Sequence, residues 1–314
     1  MAINTRPTPE KEIRALQKTF DVTPTGRLFI SVPGADLDIS ASTTEKVDIE
    51  VFVKSQSENE ALALTDRVKL RMRAVDKQTV RVESKSFYQN GFVGWNTEDA
   101  LQMRLSIRVP RSFNIDIQAS GSRIALQDLE GKQSIQLSGG SLTTRNMGGR
   151  LEIYGFGSAL DVREFDGAKL IVVGAASSLD FQAIKAEHIT IRASSCSSTL
   201  ANFQGQASLA FFSGNAEVKH VSGPLDAQVH SCQATFYLDQ VDDTYLEICG
   251  GQLGLHLTSD LKAKLLLEGD NLYLDKELAF SGDQEIDRIE GRLNKGKNLL
   301  HAHAASGSIR CVPA

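Results

Sequence analysis

The sequence is poor in aromatic residues, poor in cysteine and without a long apolar run. Phe, Trp and Tyr make up 6% of its 314 residues, with a single tryptophan, so a core has to be built largely from aliphatic side chains. The longest uninterrupted apolar stretches are short, as from Leu170 to Val173. A bilayer-spanning helix needs about 18 or more apolar residues, so no membrane span is predicted. The opening Met-Ala-Ile-Asn-Thr-Arg-Pro-Thr-Pro has no apolar segment of the kind a secretory signal requires, and a cytoplasmic location is predicted. The net charge of -5 supplies no basic footprint, which argues against a nucleic-acid partner. Cys196, Cys232, Cys249 and Cys311 show no CxxC spacing and read as reduced, mostly buried thiols. There is no P-loop and no dinucleotide fingerprint, so no cofactor is expected.

What the sequence does have is a repeat. From about residue 113 an apolar-x-apolar pair recurs, at Ile115/Ile117, Ile135/Leu137, Leu151/Ile153, Leu170/Val172, Ile189/Ile191, Leu209/Phe211, Ala227/Val229, Leu246/Ile248 and Leu265/Leu267. A turn marker runs in phase with it, at Gly131, Gly149, Gly167, Ala186, Gly205, Gly223, Asp242 and Asp260, in steps of 18 or 19. Each unit also carries a small-residue stretch, such as Ser194-Ser-Cys-Ser-Ser198, a second alternating strand, such as Leu160-Asp-Val162, and one apolar residue before the turn. Alternation with period two buries one face of a strand. Such a unit cannot bury that face alone and must stack on its neighbours. The prediction is an all-β, single-stranded β-helix, or β-solenoid, with coils of about 19 residues.

The flanks are less regular. Leu28 to Val32, Ala35 to Ile39, Val47 to Val53, Val68 to Met72, Val80 to Val82 and Leu101 to Val109 read as strands, with a turn at Pro33-Gly34. A short surface helix is predicted over Asn59 to Arg67, capped by Ser57 or Asn59, with Ala61, Leu62 and Leu64 inward. Leu272 to Leu274 is a strand, Glu285 to Asn294 reads as polar loop or fraying edge, and Leu299 to Ala304 and Ser308 to Val312 close the chain. This divides one structural domain into an N-terminal β cap (1–110), regular repeats (111–275) and closing strands (276–314).

Several segments together resemble a known family. They are Lys18-Thr-Phe20-Asp-Val22 followed by Gly26-Arg-Leu-Phe-Ile-Ser-Val32, the Ile107-Arg-Val109-Pro110 lead-in, the repeated units, and the closing Ala305-Ser-Gly307-Ser308-Ile309. The chain resembles the bacterial adhesin-like, or toastrack-like, β-strand-repeat family from about residue 16 to 312. The resemblance implies a right-handed solenoid, an adhesion role and no established catalytic residues. Envelope association of relatives is the alternative to a cytoplasmic location.

Three clusters are candidate sites. The aromatic segment Phe87, Tyr88, Phe92 and Trp95 is either a platform for a partner or sugar, or a set of rings folded over the cap. Asp161 and Asp180 occupy the same place in consecutive units. Glu217 falls in that column two units later, with Ala201 between and no basic or aromatic residue evident beside it. Carboxylates about 5 Å apart serve retaining glycosidases, but solvated acidic faces are common. His230 and Cys249 align in adjacent units, His256 lies one strand further on, and His301 and His303 are spaced to share a strand face. At most two ligands are adjacent where zinc needs three or four, so no metal is expected. The Ser/Gly stretches lack a nucleophile-elbow spacing and a nearby base, and read as corners. The function predicted is a non-enzymatic structural or protein-interaction module binding a protein partner or its own copy. The alternative is a carbohydrate-binding or carbohydrate-active β-helix using the acidic column.

Overall fold

Alternating apolar residues with few helix formers between them favour strands throughout, and the computed structural model, which describes residues 11–84 and 103–314, is all-β apart from one helix. It resolves into two compact units, Met1–Leu142 and Thr143–Ala314, with the boundary inside the long strand β9 (Lys132–Phe156).

The first unit mixes parallel and antiparallel pairing. β2 (Arg27–Ser31) lies parallel to β6 (Thr79–Ser84) and to β8 (Asn114–Gln127), and β3 (Asp36–Ser42) lies parallel to β7 (Met103–Pro110) and β8. β4 (Lys46–Ser55) runs antiparallel to β7, and β5 (Leu70–Ala74) antiparallel to β6. Leu28, Ile30, Leu37, Ile39, Ile49 and Ile107 fill the core at 2% exposure or less. β1 (Lys11–Asp21) pairs antiparallel with β4 and was not expected as a strand. A bulge between Arg14 and Leu16 breaks its period of two and so hides its apolar face, in which Ile13, Leu16 and Phe20 lie opposite Val53, Val51 and Val47; an Arg14–Glu50 ion pair and the Thr19 hydroxyl donating to Asp48 add to it. The helix α1 (Glu58–Arg67) starts at an Ser57 cap, whose hydroxyl accepts from the Glu60 amide, while the Glu60 carboxylate accepts from the Gln56 amide. This reciprocal capping satisfies two otherwise orphaned donors. Ala61 and Leu64 are inward as expected, but Leu62 is exposed and Thr65 is buried in its stead, one helical turn from Ala61.

In the second unit each repeat strand lies parallel to its counterpart in the next repeat. β10 (Ala159–Ala175) sets Leu160 beside Leu179 and Leu170 beside Ile189 of β11 (Ser178–Ser222). β11 sets Phe211 beside Val229 of β12 (Pro224–Leu238), and β12 sets Val229 beside Ile248 of β13 (Asp242–Leu257). Partners are 18 or 19 positions apart, which stacks like residues into interior rows. The single apolar residues before each turn, Met147, Phe165, Ile184, Phe203, Val221 and Val241, are all buried.

The chain turns at corners whose chemistry is local. Asn146, Glu164, Ala183, Asn202 and His220, each one position before such a buried residue, have φ between 50° and 58°. Asn tolerates that left-handed conformation, whereas Glu and Ala adopt it here under the constraint of the stack. At the glycine column the reason is space. A β-carbon on Gly205 would strike the Ala186 carbonyl oxygen, and one on Gly223 would approach the Gly205 carbonyl oxygen to 2.6 Å.

Toward the C-terminus β14 (Ala263–Gly269) lies parallel to β18 (Leu299–Pro313), which also pairs with β13 and with β15 (Leu272–Leu274). The segment expected as a polar loop contains β17 (Arg288–Leu293), antiparallel to both β14 and β16 (Phe280–Gln284). Ile289 and Leu293 are buried, and its charged residues are paired across strands, Arg288 with Glu268 and Lys264 with Glu290. Cross-strand ion pairing makes a polar sequence compatible with a strand.

Candidate functional site

Residues between two buried neighbours on a repeat strand point outward, so the parallel register assembles outward rows across β10 to β13. Asp161 lies beside Asp180 in such a row, as the repeat implied. The next residue in the row is Thr199, not Ala201. The Ser197 amide donates to the Ser177 carbonyl in the same way as the Ser178 amide donates to the Ser158 carbonyl, which fixes the step. The discrepancy is one pleat: the row advances by 19 residues at this step, and the 21-residue step from Asp180 to Ala201 overshoots it by two.

The carboxylates are not free. Arg163, two residues after Asp161 on the same face, places Nε 2.7 Å from Asp161 Oδ1 and Nη2 2.8 Å from Asp180 Oδ2. Contact with Asp161, reinforced by Asp180, raises the Arg163 guanidinium above its ordinary value. The Gln182 amide donates to the other Asp180 oxygen at 3.2 Å. A basic residue thus lines the column, contrary to expectation, and period two would have shown it. Glu217 pairs with Lys219 at 2.9 Å, and the Lys219 ammonium sits 5.0 Å from the centroid of the Tyr237 ring, which stacks on His256 at 4.6 Å.

His230 and Cys249 are register partners, and Phe212 stacks on the other side of His230. Cys249 is exposed, whereas Cys196, Cys232 and Cys311 are buried. Burial raises the Cys232 thiol and pushes Cys311 up to about 12. His301 and His303 do share a strand face, in β18. His301 Nε2 lies 2.9 Å from Glu268, and its ring meets Tyr245 edge-on at 6.1 Å. Among the described residues no three His, Cys, Asp or Glu side chains converge to hold a metal ion. Phe87, Tyr88, Phe92 and Trp95 lie outside the described residues.

One concavity was not anticipated. An open groove of about 610 Å³ crosses the strands of the second unit, with Lys169 and His188 at one end, Thr190 and Ser208 on its floor, and Asp226 and Tyr245 at the other end. Its signal in the sequence is the series Thr190, Ser208, Asp226, Tyr245, one outward residue per repeat.

Parallel strands stacked in 18- and 19-residue register, with glycine and left-handed corners, define an all-β, β-solenoid-like repeat protein. The chain belongs to the family described as Toastrack DUF4097, whose model matches residues 25–311. No curated protein matches it. Solved structures similar to it include a "putative adhesin" from Bacteroides fragilis, 12% identical, covering 95% of this chain and 96% of that one at a TM-score of 0.35. A "putative cell adhesion protein" from Clostridium sporogenes is 11% identical, covering 96% and 99% at 0.24. A "putative lipid binding protein" from Parabacteroides distasonis is 11% identical, covering 95% and 96% at 0.38. Among the described residues no helix is long and apolar enough to cross a membrane.

Proposed function

We propose that this chain is a non-enzymatic protein-interaction module, built on a right-handed coil of about 19 residues per turn that presents its sheet faces to a partner or to another copy of itself. The observation that carries this reading is the Asp161–Arg163–Asp180 cluster. Paired catalytic carboxylates need one member protonated as an acid and the other ionised, and environments that push their proton affinities apart. Here a single guanidinium bridges the two carboxylates and ties them into one ion-paired cluster, which suits a rigid surface and not acid–base work.

The same unit exposes apolar side chains that a lone soluble surface has no use for. Tyr154, Phe156 and Val173 are 41%, 67% and 38% exposed on β9 and β10. Apolar groups clustered on an exposed sheet face are what protein contacts bury.

Light scattering on the full chain, beside Phe156→Ser, tests the surface. A defined oligomer that the substitution dissolves supports the self-associating form. A monomer for both directs the reading to a different partner, tested by crosslinking. The non-enzymatic reading itself is overturned if the protein cleaves oligosaccharides and loses that activity in Asp161→Asn or Asp180→Asn.

A further inference from the structure

We infer that the groove across β10 to β13 is a binding site for a linear oligosaccharide lying across the strands, with Tyr245 as its stacking platform. The site is separate from the Asp161–Arg163–Asp180 cluster and from the exposed apolar residues of β9 and β10.

The groove's length and lining come first. Lys169 and Asp243 stand on strands four steps apart, about 19 Å at the usual inter-strand spacing of about 4.8 Å. That is room for several sugar rings in a row. Tyr245 is 47% exposed, and its ring is held by the edge-on contact with His301, which Glu268 in turn fixes at 2.9 Å. A half-exposed ring already restrained by its neighbours loses little freedom on binding, and its apolar face with a hydroxyl handle suits the C–H face of a pyranose.

The polar groups are available. Asp226, register partner of both Ser208 and Tyr245, has no ion pair among the described residues, and neither has Asp243. Together with the Ser208 and Thr190 hydroxyls and the Gln206 amide they offer acceptors and donors at each strand step. Sugar hydroxyls both donate and accept, so they match such a mixed set.

Other ligand classes fit less well. An extended peptide recognised by strand addition needs unpaired backbone groups, and the backbone under this groove is committed to the parallel ladder. Phosphate backbones meet Asp226 and Asp243 at one end of the groove in a chain of net charge -5. A wholly apolar ligand would leave Ser208, Asp226 and Asp243 without partners. Lys169 and His188 at the opposite end leave acidic sugars within the class.

The experiment is titration calorimetry of the full-length protein with linear hexasaccharides: cellohexaose, chitohexaose, xylohexaose, maltohexaose and a hexuronate. Saturable binding by at least one of them is expected. It should weaken at least about tenfold in Tyr245→Ala and in Asp226→Asn, persist in Tyr245→Phe, and persist in Tyr273→Ala, which removes an equally exposed tyrosine elsewhere. Ser208→Arg, which fills the floor without touching the platform, should abolish it. Absence of binding by every probe at millimolar concentration overturns the proposal, as does binding that survives Tyr245→Ala and Ser208→Arg together. Either failure leaves the protein-interaction reading standing, since that rests on other residues.

Discussion

Phe212 and His230 lie face to face on neighbouring strands of the second unit, 5.0 Å between ring centroids and 5° between ring planes. They are direct register partners in a parallel ladder, and Cys249 extends the row by one strand. Cross-strand aromatic pairs on a sheet face contribute about 0.5–1 kcal/mol beyond the area they bury. Phe212→Ala and His230→Ala should each lower the unfolding free energy by about that amount, and the double variant should lose less than their sum. Urea denaturation of the four proteins measures the coupling. Strict additivity would mean that the rings share a row without interacting.

The close approach of Gly205 to the Ala186 carbonyl makes a sharper prediction. Gly205 has φ 129°, a conformation side chains disfavour, and a β-carbon there meets backbone that cannot rotate away. Gly205→Ala should cost about 2–4 kcal/mol, summing overpacking and left-handed strain. Gly157→Ala is the control, because its φ is 57° but nothing lies within 4 Å of the added carbon. That variant should lose only about 1 kcal/mol. Equal losses in the two would show that strain alone decides, and that the stack tolerates the extra atom.

This column of glycines was legible in the sequence because turn residues recur in phase with the apolar pairs. The second set of corners, Asn146, Glu164, Ala183, Asn202 and His220, was not. Only Asn advertises left-handed backbone by itself; in Glu164 and Ala183 the conformation is imposed by neighbours above and below. Likewise Asp161 beside Asp180 could be read from the period, and Arg163 could have been, being two residues away on the same face. Tyr245 meeting His301 could not, because β13 pairs with β18 across a hairpin the polar sequence of β17 disguised. The alternation of Ile289 and Leu293 with charges was a strand signal whose charges needed their partners to be recognised.

Of the polar side chains buried among the described residues, Gln133 and Thr144 make a stability prediction. Gln133 and Thr144 are fully buried, and neither the Gln133 amide nor the Thr144 hydroxyl has a hydrogen-bond partner among the described residues. A buried polar group without a partner costs about 1–3 kcal/mol. Gln133→Met and Thr144→Val keep the volume and remove the polar atoms, so each should raise the thermal midpoint, with gains of about 1–2 kcal/mol. A loss of stability in either would show that the group is satisfied after all.

The cysteines differ in environment and should differ in reactivity. In native protein one thiol per chain, Cys249, should react with a disulfide reagent at pH 8, and all four should react in denaturant. Cys249→Ser should abolish the native reaction. Burial holds the Cys311 thiol up to about 12, so in the alkaline range the unfolded chain releases a proton that the folded chain retains. Stability should therefore fall from about pH 9 upward toward pH 12, by at most about 1.4 kcal/mol per pH unit. Cys311→Ala should flatten that limb, whatever it costs near neutrality as a cavity. An unchanged alkaline slope would assign the loss to other groups.

Arg163 offers the most direct test of how the outward acidic row is held. In Arg163→Met, Asp161 and Asp180 remain adjacent but lose the cation between them, while the aliphatic stem is kept. Like charges in register repel, so the variant should unfold more readily than wild type at neutral pH. The gap should narrow in concentrated salt, because the groups are partly exposed and screened. Adding Asp180→Asn to Arg163→Met should recover most of the lost stability, whereas Asp180→Asn alone should lower it slightly by leaving Arg163 with one partner. If the single Arg163→Met variant is as stable as wild type at low and high salt, the row is a solvated face and the guanidinium only decorates it.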